Sequence, residues 1–270
     1  MGAPIAGCSC VFKHGTTEVG RANNVTLNRS AGEAKFEMRE SLWAGALQGL
    51  KEWSIDIDNV WGVGAAPVAR VGHKCLLTVD GATVACSKDV SLKASRKAID
   101  TSSRAGAGIK SFLPGQREWS ASAGLMSILD DAGLVKIETA YAAGTSVAAT
   151  ILDAAASGKG YEGNVIIKSI NRAEPMEGGV ALAVEMTGDG ELAPSGRGAD
   201  ADALTALEAT FFEDGASAML TAVVEDPAGN KYTGQAFITS LGHEQPLEGA
   251  AKMPLKLQGT GVLSFTPFVA

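Results

Sequence analysis

Period-two alternation is the dominant pattern along this chain. In WSIDIDNV, Trp53, Ile55 and Ile57 fall on one face and Ser54, Asp56 and Asp58 on the other, as a strand with one dry and one wet face requires. CLLTV and ATVAC flank Asp80-Gly81, a dipeptide suited to a two-residue hairpin turn, and the strand KDVSLK follows. Later strands are predicted at Ala218 to Glu225, Lys231 to Ser240, Lys252 to Gln258 and Val262 to Thr266, with turns at Pro227-Ala228-Gly229-Asn230 and Gly259-Thr260-Gly261. The pattern turns helical twice. DADALTALEATFFEDG opens on Asp202 as N-cap, carries Leu204, Leu207 and Phe211 at i, i+3 and i+7, and stops at Gly215. A weaker helix covers Asp131 to Ala143, where Gly133 lowers propensity. The stretches 29–48 and 94–114 lose periodicity and read as long loops, which in compact domains are usually functional or ordered by a partner.

These elements occur twice. GNVIIKSINRAEPMEGGVALAVEMTGDGEL, from Gly163 to Leu192, is copied 71 residues later as GQAFITSLGHEQPLEGAAKMPLKLQGTGVL, from Gly234 to Leu263. The same shift pairs Thr139, Tyr141 and Tyr161 with Thr210, Phe212 and Tyr232. Upstream, Val25, Leu27 and Ser30 recur 65 residues on as Val90, Leu92 and Ser95, and Glu52, Trp53 and Ser54 recur 66 residues on as Glu118, Trp119 and Ser120. The order is first half, first half, second half, second half. A nested arrangement accounts for it: an inner domain over 73–192 inserted into an outer domain made of 1–62 and 202–270. The alternative is a swapped pairing of first with third and second with fourth copies. The joints GVGAAPVARVG and APSGRGADAD are rich in Gly, Ala and Pro, and insertion at a surface loop costs little closure entropy. The expected fold class is mainly β: two similar β-sandwich or barrel domains, each with one short α-helix, the second inserted into the first.

Composition narrows the function. With 270 residues, 46% hydrophobic and 20% charged, the chain can bury two cores. No apolar run reaches the length of a membrane span, and the N-terminus lacks a secretory signal layout and the Ser or Thr of a myristoylation site. Four cysteines are too few for a disulfide scaffold. Cys75 and Cys86 would face each other across the Asp80-Gly81 hairpin, and Cys8, Cys10 and His14 are a weak zinc pattern set against buried thiols. A formal charge of −7 disfavours gripping nucleic acid through phosphates, but does not exclude a surface past which DNA slides, where like-charge repulsion is useful. His14, His73 and His243 stand in no metal-ligand spacing, and no GxSxG, phosphate loop or dinucleotide motif occurs. The carboxylate pairs Asp56/Asp58 and Asp130/Asp131 read as a solvated strand face and a helix start. No enzyme activity, cofactor or metal is expected.

From Val90, VSLKASRKAIDTSSRAGAGIKSFLPGQREWSAS resembles the major tail tube proteins of long-tailed bacteriophages, in the order VSL strand, polar loop, LPG, then WS. YTGQAFITSLGHEQPLEGAAKMPLKLQGTGVLS is similar to the second half of the same family, and LQGLKEWSI carries the likeness in the N-terminal part. The resemblance implies a structural virion protein, made in the bacterial host cytoplasm and built into the tail as stacked rings around a lumen through which DNA is ejected. It implies that the two loops reach the neighbouring ring, with Phe36, Leu42 and Trp43 in the first and Ile99, Arg104, Phe112 and Leu113 in the second. Ser54, Asp56 and Asp58 are then the lumen-facing candidates. Two units per chain depart from the single-domain pattern, so three copies would supply a pseudo-hexameric homotrimeric ring. The expected partners are the chain itself, other tail proteins such as a tape measure and a tail terminator, and DNA passing without specific binding, with no membrane. The rival readings are an Ig-like β-sandwich binding or adhesion module and a tail-completion or secretion-system ring protein.

Overall fold

A computed structural model describes residues 11–14, 17–22, 25–37, 44–58, 60–61, 76–85, 87–103, 108–128, 130–152, 160–174, 180–195, 203–226, 228–245 and 253–267. Alternation of apolar and polar residues dictates strands almost throughout. In chain order these are β1 (Val11–His14), β2 (Thr17–Ala22), β3 (Val25–Glu37), β4 (Ala44–Ile57), β5 (Val60–Trp61), β6 (Leu76–Val79), β7 (Ala82–Thr83), β8 (Ser87–Asp100) and β9 (Phe112–Met126). Helix α1 (Ala132–Ala143) comes next, then β10 (Val147–Leu152), β11 (Gly160–Ala173) and β12 (Ala181–Ser195). Helix α2 (Ala203–Phe212), a 3₁₀ turn, β13 (Leu220–Glu225), β14 (Lys231–Gln245) and β15 (Leu255–Thr266) complete the chain. The protein is mainly β with two short helices, and all pairings between these strands are antiparallel.

The pairings fall into two sets of identical order. A central set runs β6-β10-β11-β12-β9-β8. A terminal set, drawn from both ends of the chain, runs β1-β13-β14-β15-β4-β3. Irregularities repeat with them: the β8/β9 register shifts at Arg96/Ala98 and the β3/β4 register at Ala31/Glu33, while β11 and β14 shift at Ile167/Ser169 and Ile238/Ser240. One pairing joins the sets. Ser240 to Gln245 of β14 lie against Ser95 to Val90 of β8, so the two sets share one continuous hydrogen-bonded network and one apolar core.

Local chemistry explains the helices and turns. Asp131 caps α1, its Oδ1 accepting from the backbone N–H of Gly133 and Leu134 at 2.8 and 3.1 Å. Gly133, unfavourable for propensity, is where the helix meets β7: a Cβ there would lie 2.7 Å from Val84 Cγ2. Asp80 and Gly81 both take positive φ, as the predicted hairpin turn demands.

Two expectations are corrected. The stretch 94–114 is mostly strand, because β8 and β9 pair out to Asp100 and Phe112, and β3 and β4 do the same across most of 29–48. Cross-strand hydrogen bonding overrides a small, polar composition that reads as loop. Gly259-Thr260-Gly261 is likewise no turn but a bulged part of a continuous β15. Cys8, Cys10, Cys75, Cys86, His73, Asp202 and the joints at 62–72 and 196–202 lie outside the described residues.

Candidate assembly surfaces

The duplicated glycines surround a duplicated tryptophan. Trp53 of β4 and Trp119 of β9 are buried, and each indole Nε1 donates to a backbone carbonyl, Trp53 to Gly261 at 3.1 Å and Trp119 to Gly190 at 3.2 Å. Both acceptor glycines have positive φ, which turns their carbonyls toward the rings. The neighbouring glycines make room: a Cβ on Gly259 would stand 2.1 Å from the Trp53 ring and one on Gly188 would stand 2.2 Å from Trp119 Nε1. Thus the sequence repeat is, physically, a repeated indole cradle.

The seam between the sets is built from β8, β14 and α2. Val90, Leu92 and Ala94 meet Gln245, His243 and Leu241, and all six are buried. Beside them Arg96 is buried, and its Nη2 donates to the carbonyls of Phe211 and Glu213 at 2.6 and 2.5 Å, at the C-terminal end of α2. Cations favour that end of a helix, where carbonyls lack intrahelical partners. Burial, then the nearby Arg117, pushes the Arg96 guanidinium below its ordinary value, while Asp214 pulls it up. Arg117 donates to Phe212 O and stands 3.2 Å from Asp214. Tyr161 of β11 completes the seam, donating to Glu208 of α2 at 3.1 Å.

The hairpin tips carry the predicted inter-ring residues. Ile99 and Leu113 form a cross-strand pair on the β8/β9 hairpin, 48% and 53% exposed, and Phe112 beside them is half-buried. The return of this hairpin lies across the terminal set. Lys51 N–H donates to Gly108 O and Lys110 N–H donates to Lys51 O, each at 2.8 Å, Phe112 N–H donates to Thr260 Oγ1 at 2.9 Å, and Lys110 Nζ meets Glu52 at 2.7 Å. That ammonium holds the Glu52 carboxyl below its ordinary value; burial opposes it, and the hydrogen bond from Ser30 adds to the lowering. Phe36 lies in β3, where only its backbone pairing is described; Leu42, Trp43 and Arg104 lie outside the described residues.

Ser54 and Asp56 project from β4 on the face opposite the core, and Asp58 follows it, exposed. Asp56 accepts from Asn28 Nδ2 at 2.7 Å and stands 3.6 Å from Lys256 Nζ. Strand pairing extends this face over both sets through Thr26, Asn28 and Ser30, Ser240 and Glu244, Ser91, Lys93 and Ser95, Ser120 and Ser122, and Glu185 and Thr187. Along it Glu52, Asp56, Glu118, Glu185 and Glu244 are offset by Lys93 and Lys256. Small hydroxyls and a negative excess characterise the surface. Sequence reasoning isolated three residues of it because only pairing shows which strands share the face. Among the described residues no cluster of His, Cys, Asp and Glu could hold a metal ion, and no helix is long and apolar enough to cross a membrane.

Residues 77–194, which span the central set, match the family model of the phage tail tube protein. That segment is a phage tail tube protein domain. Among solved structures, the virion of a native gene transfer agent particle contains a chain 20% identical, aligned over 45% of this chain and 95% of that one with a TM-score of 0.40. The tail of an empty gene transfer agent particle, refined with C6 symmetry, is 18% identical over 42% and 84% with a TM-score of 0.37. The SPP1 tail tube is 21% identical over 46% and 76%, also at 0.37. No curated protein sequence matches.

Proposed function

We propose that this chain is a structural subunit of a tail tube, in which two tail-tube units are nested: the central set inserted between the two halves of the terminal set. The family match over residues 77–194 carries the functional reading. The identical strand order of the terminal set, with Trp53 set against Gly234 and Gly259 as Trp119 is against Gly163 and Gly188, extends it to the rest of the chain. Three copies supply six units, close into a ring by rotation, and stack into a hollow tube in the virion tail; closed symmetry prevents sideways growth. The hydroxyl-rich, negatively charged face bearing Ser54, Asp56 and Asp58 lines the lumen, where like charge keeps DNA moving during ejection. The hairpin tips bearing Ile99, Phe112 and Leu113 in one unit, and Phe36, Leu42, Trp43 with the first hairpin in the other, make contacts between rings, as does Arg104. A tape measure protein inside and a terminator protein at the end complete the set of partners, and synthesis takes place in the host cytoplasm.

Electron microscopy of the purified chain at rising concentration tests this directly. Rings with six lobes, or striated tubes, are the expected images; discrete monomers at every concentration contradict the proposal.

A further inference from the structure

The seam between the two strand sets has a second copy of each of its halves, and among the described residues no strand pairs with the free edge of either. Shifting the β8 residues Val90 to Ser95 back by 65 gives Val25 to Ser30 of β3, and shifting Ser240 to Gln245 of β14 back by 71 gives Ser169 to Glu174 of β11 and the residue after it. The seam residues are buried more deeply than their counterparts. Leu92 and His243 are buried, whereas Leu27 is half-buried and Arg172 is exposed. The helix repeats the relationship. Phe212 of α2 lies in a cleft formed by Arg117, Trp119, Gly190 and Leu192, while its counterpart Tyr141 on α1 is 50% exposed. The matching cleft, lined by Lys51, Trp53, Val262 and Leu263, is an open volume of about 510 Å³ with Val262 63% exposed.

We infer that a second copy of this chain docks by repeating the internal seam between molecules. The β3 edge of one copy pairs antiparallel with the end of β11 of the next, in the register Val25 to Glu174, Thr26 to Ala173, Leu27 to Arg172, Asn28 to Asn171, Arg29 to Ile170 and Ser30 to Ser169. Tyr141 of the second copy enters the Trp53 cleft of the first. This rests on the reading of the chain as a ring-forming tube subunit. An unpaired strand edge is a template for another chain, and here the chain itself carries the solution to its own edge. The contact is head-to-tail, since β3 and β11 are different surfaces, so it propagates from copy to copy until rotation closes it.

Side-chain differences between seam and docking surface fit a reversible contact. Arg96, buried at the seam, corresponds to Ala31; Arg117 corresponds to Lys51; His243 and Gln245 correspond to the ion-paired Arg172 and the neighbouring Glu174. The internal joint is locked by a buried guanidinium. The external one lacks that lock and keeps solvated charges.

Oxidative cross-linking tests the register, using chains in which the four native cysteines are replaced by serine and one new cysteine is added. In that background a Thr26→Cys chain mixed with an Ala173→Cys chain is expected to give a disulfide-linked dimer of one of each, while Thr26→Cys mixed with Asn171→Cys, two residues out of register, and the cysteine-free chain remain at background. Tyr141→Ala, at an exposed position, is expected to leave the unfolding midpoint unchanged and to weaken self-association by about tenfold or more in sedimentation. If rings or tubes form but neither result appears, the docking register is wrong and the tube reading stands. If the chain is monomeric at every concentration, both fall.

Discussion

Trp53 and Gly261, 208 positions apart in the chain, are joined by a 3.1 Å hydrogen bond from the indole to a carbonyl that positive φ has turned toward it. The bond stitches the N-terminal part of the molecule to the C-terminal part across the whole central set. Adding a methyl group at Gly259 or Gly188 drives it into the tryptophan ring, and overpacking of this kind costs about 1–3 kcal/mol. Gly259→Ala is expected to lower stability by that amount in urea unfolding, and Trp53→Phe in the same chain to restore part of it.

Arg96 ties α2 of the terminal set to β8 of the central set through the Phe211 and Glu213 carbonyls. Arg96→Met keeps much of the volume but takes the charged donor from the buried Phe211 carbonyl and the part-buried Glu213 carbonyl, at about 1–3 kcal/mol in all. Calorimetry is expected to show a lower, broader transition in which the sets uncouple. Arg96→Lys should not rescue it, because one ammonium cannot reproduce the planar fork of donors.

The fastening of the β8/β9 hairpin depends on pH from both sides. Glu52 is held below its ordinary value of 4.5, first by its bond to Lys110, so its contribution is present above that value and is lost as pH falls through the depressed one. Lys110 is raised from 10.5, first by the same bond, so its contribution is present below that value and is lost as pH rises through the elevated one. The melting temperature of the unsubstituted chain should therefore fall more steeply than that of Glu52→Gln in acid below about pH 4.5. Parallel curves would show that the pair contributes nothing.

Asp131 caps α1 and also accepts from Ala85 N–H at 2.9 Å, fixing the helix to the segment after β7. Asp131→Ala is expected to cost about 1–2 kcal/mol, measured by chemical denaturation, and Asp131→Asn less than half of that.

Asp56 and Asp58 replaced together by lysine reverse the charge of the proposed lumen at two points per chain, about six in a ring of three chains. Tubes should still form, and DNA release from particles should slow in a manner relieved by salt, since added salt screens the new attraction. Unchanged release would place this face elsewhere.

The sequence made some of this architecture legible and hid the rest for physical reasons. Alternation in WSIDIDNV located β4 and its buried face, and the repeat at a shift of 71 paired every element of β11 and β12 with β14 and β15. The strands through Ala94, Ala98 and Gly115 were illegible because small residues say nothing about a partner strand, and only the pairing of Ile99 with Leu113 reveals the hairpin. Gly259 and Gly261 read as a turn because the ring they accommodate lies in a remote part of the sequence. Arg96 looked like an ordinary basic loop residue; its burial follows from α2, which no local signal connects to it. The lumen candidates were legible as a wet face, but the extent of that face became visible only with the strand order.

The number of chains in one ring bears most directly on two units per chain. Native mass spectrometry of isolated rings, paired with averaged end-on images, is expected to give three chains in a ring of six equal lobes. Six chains in such a ring, or three lobes from three chains, would contradict it.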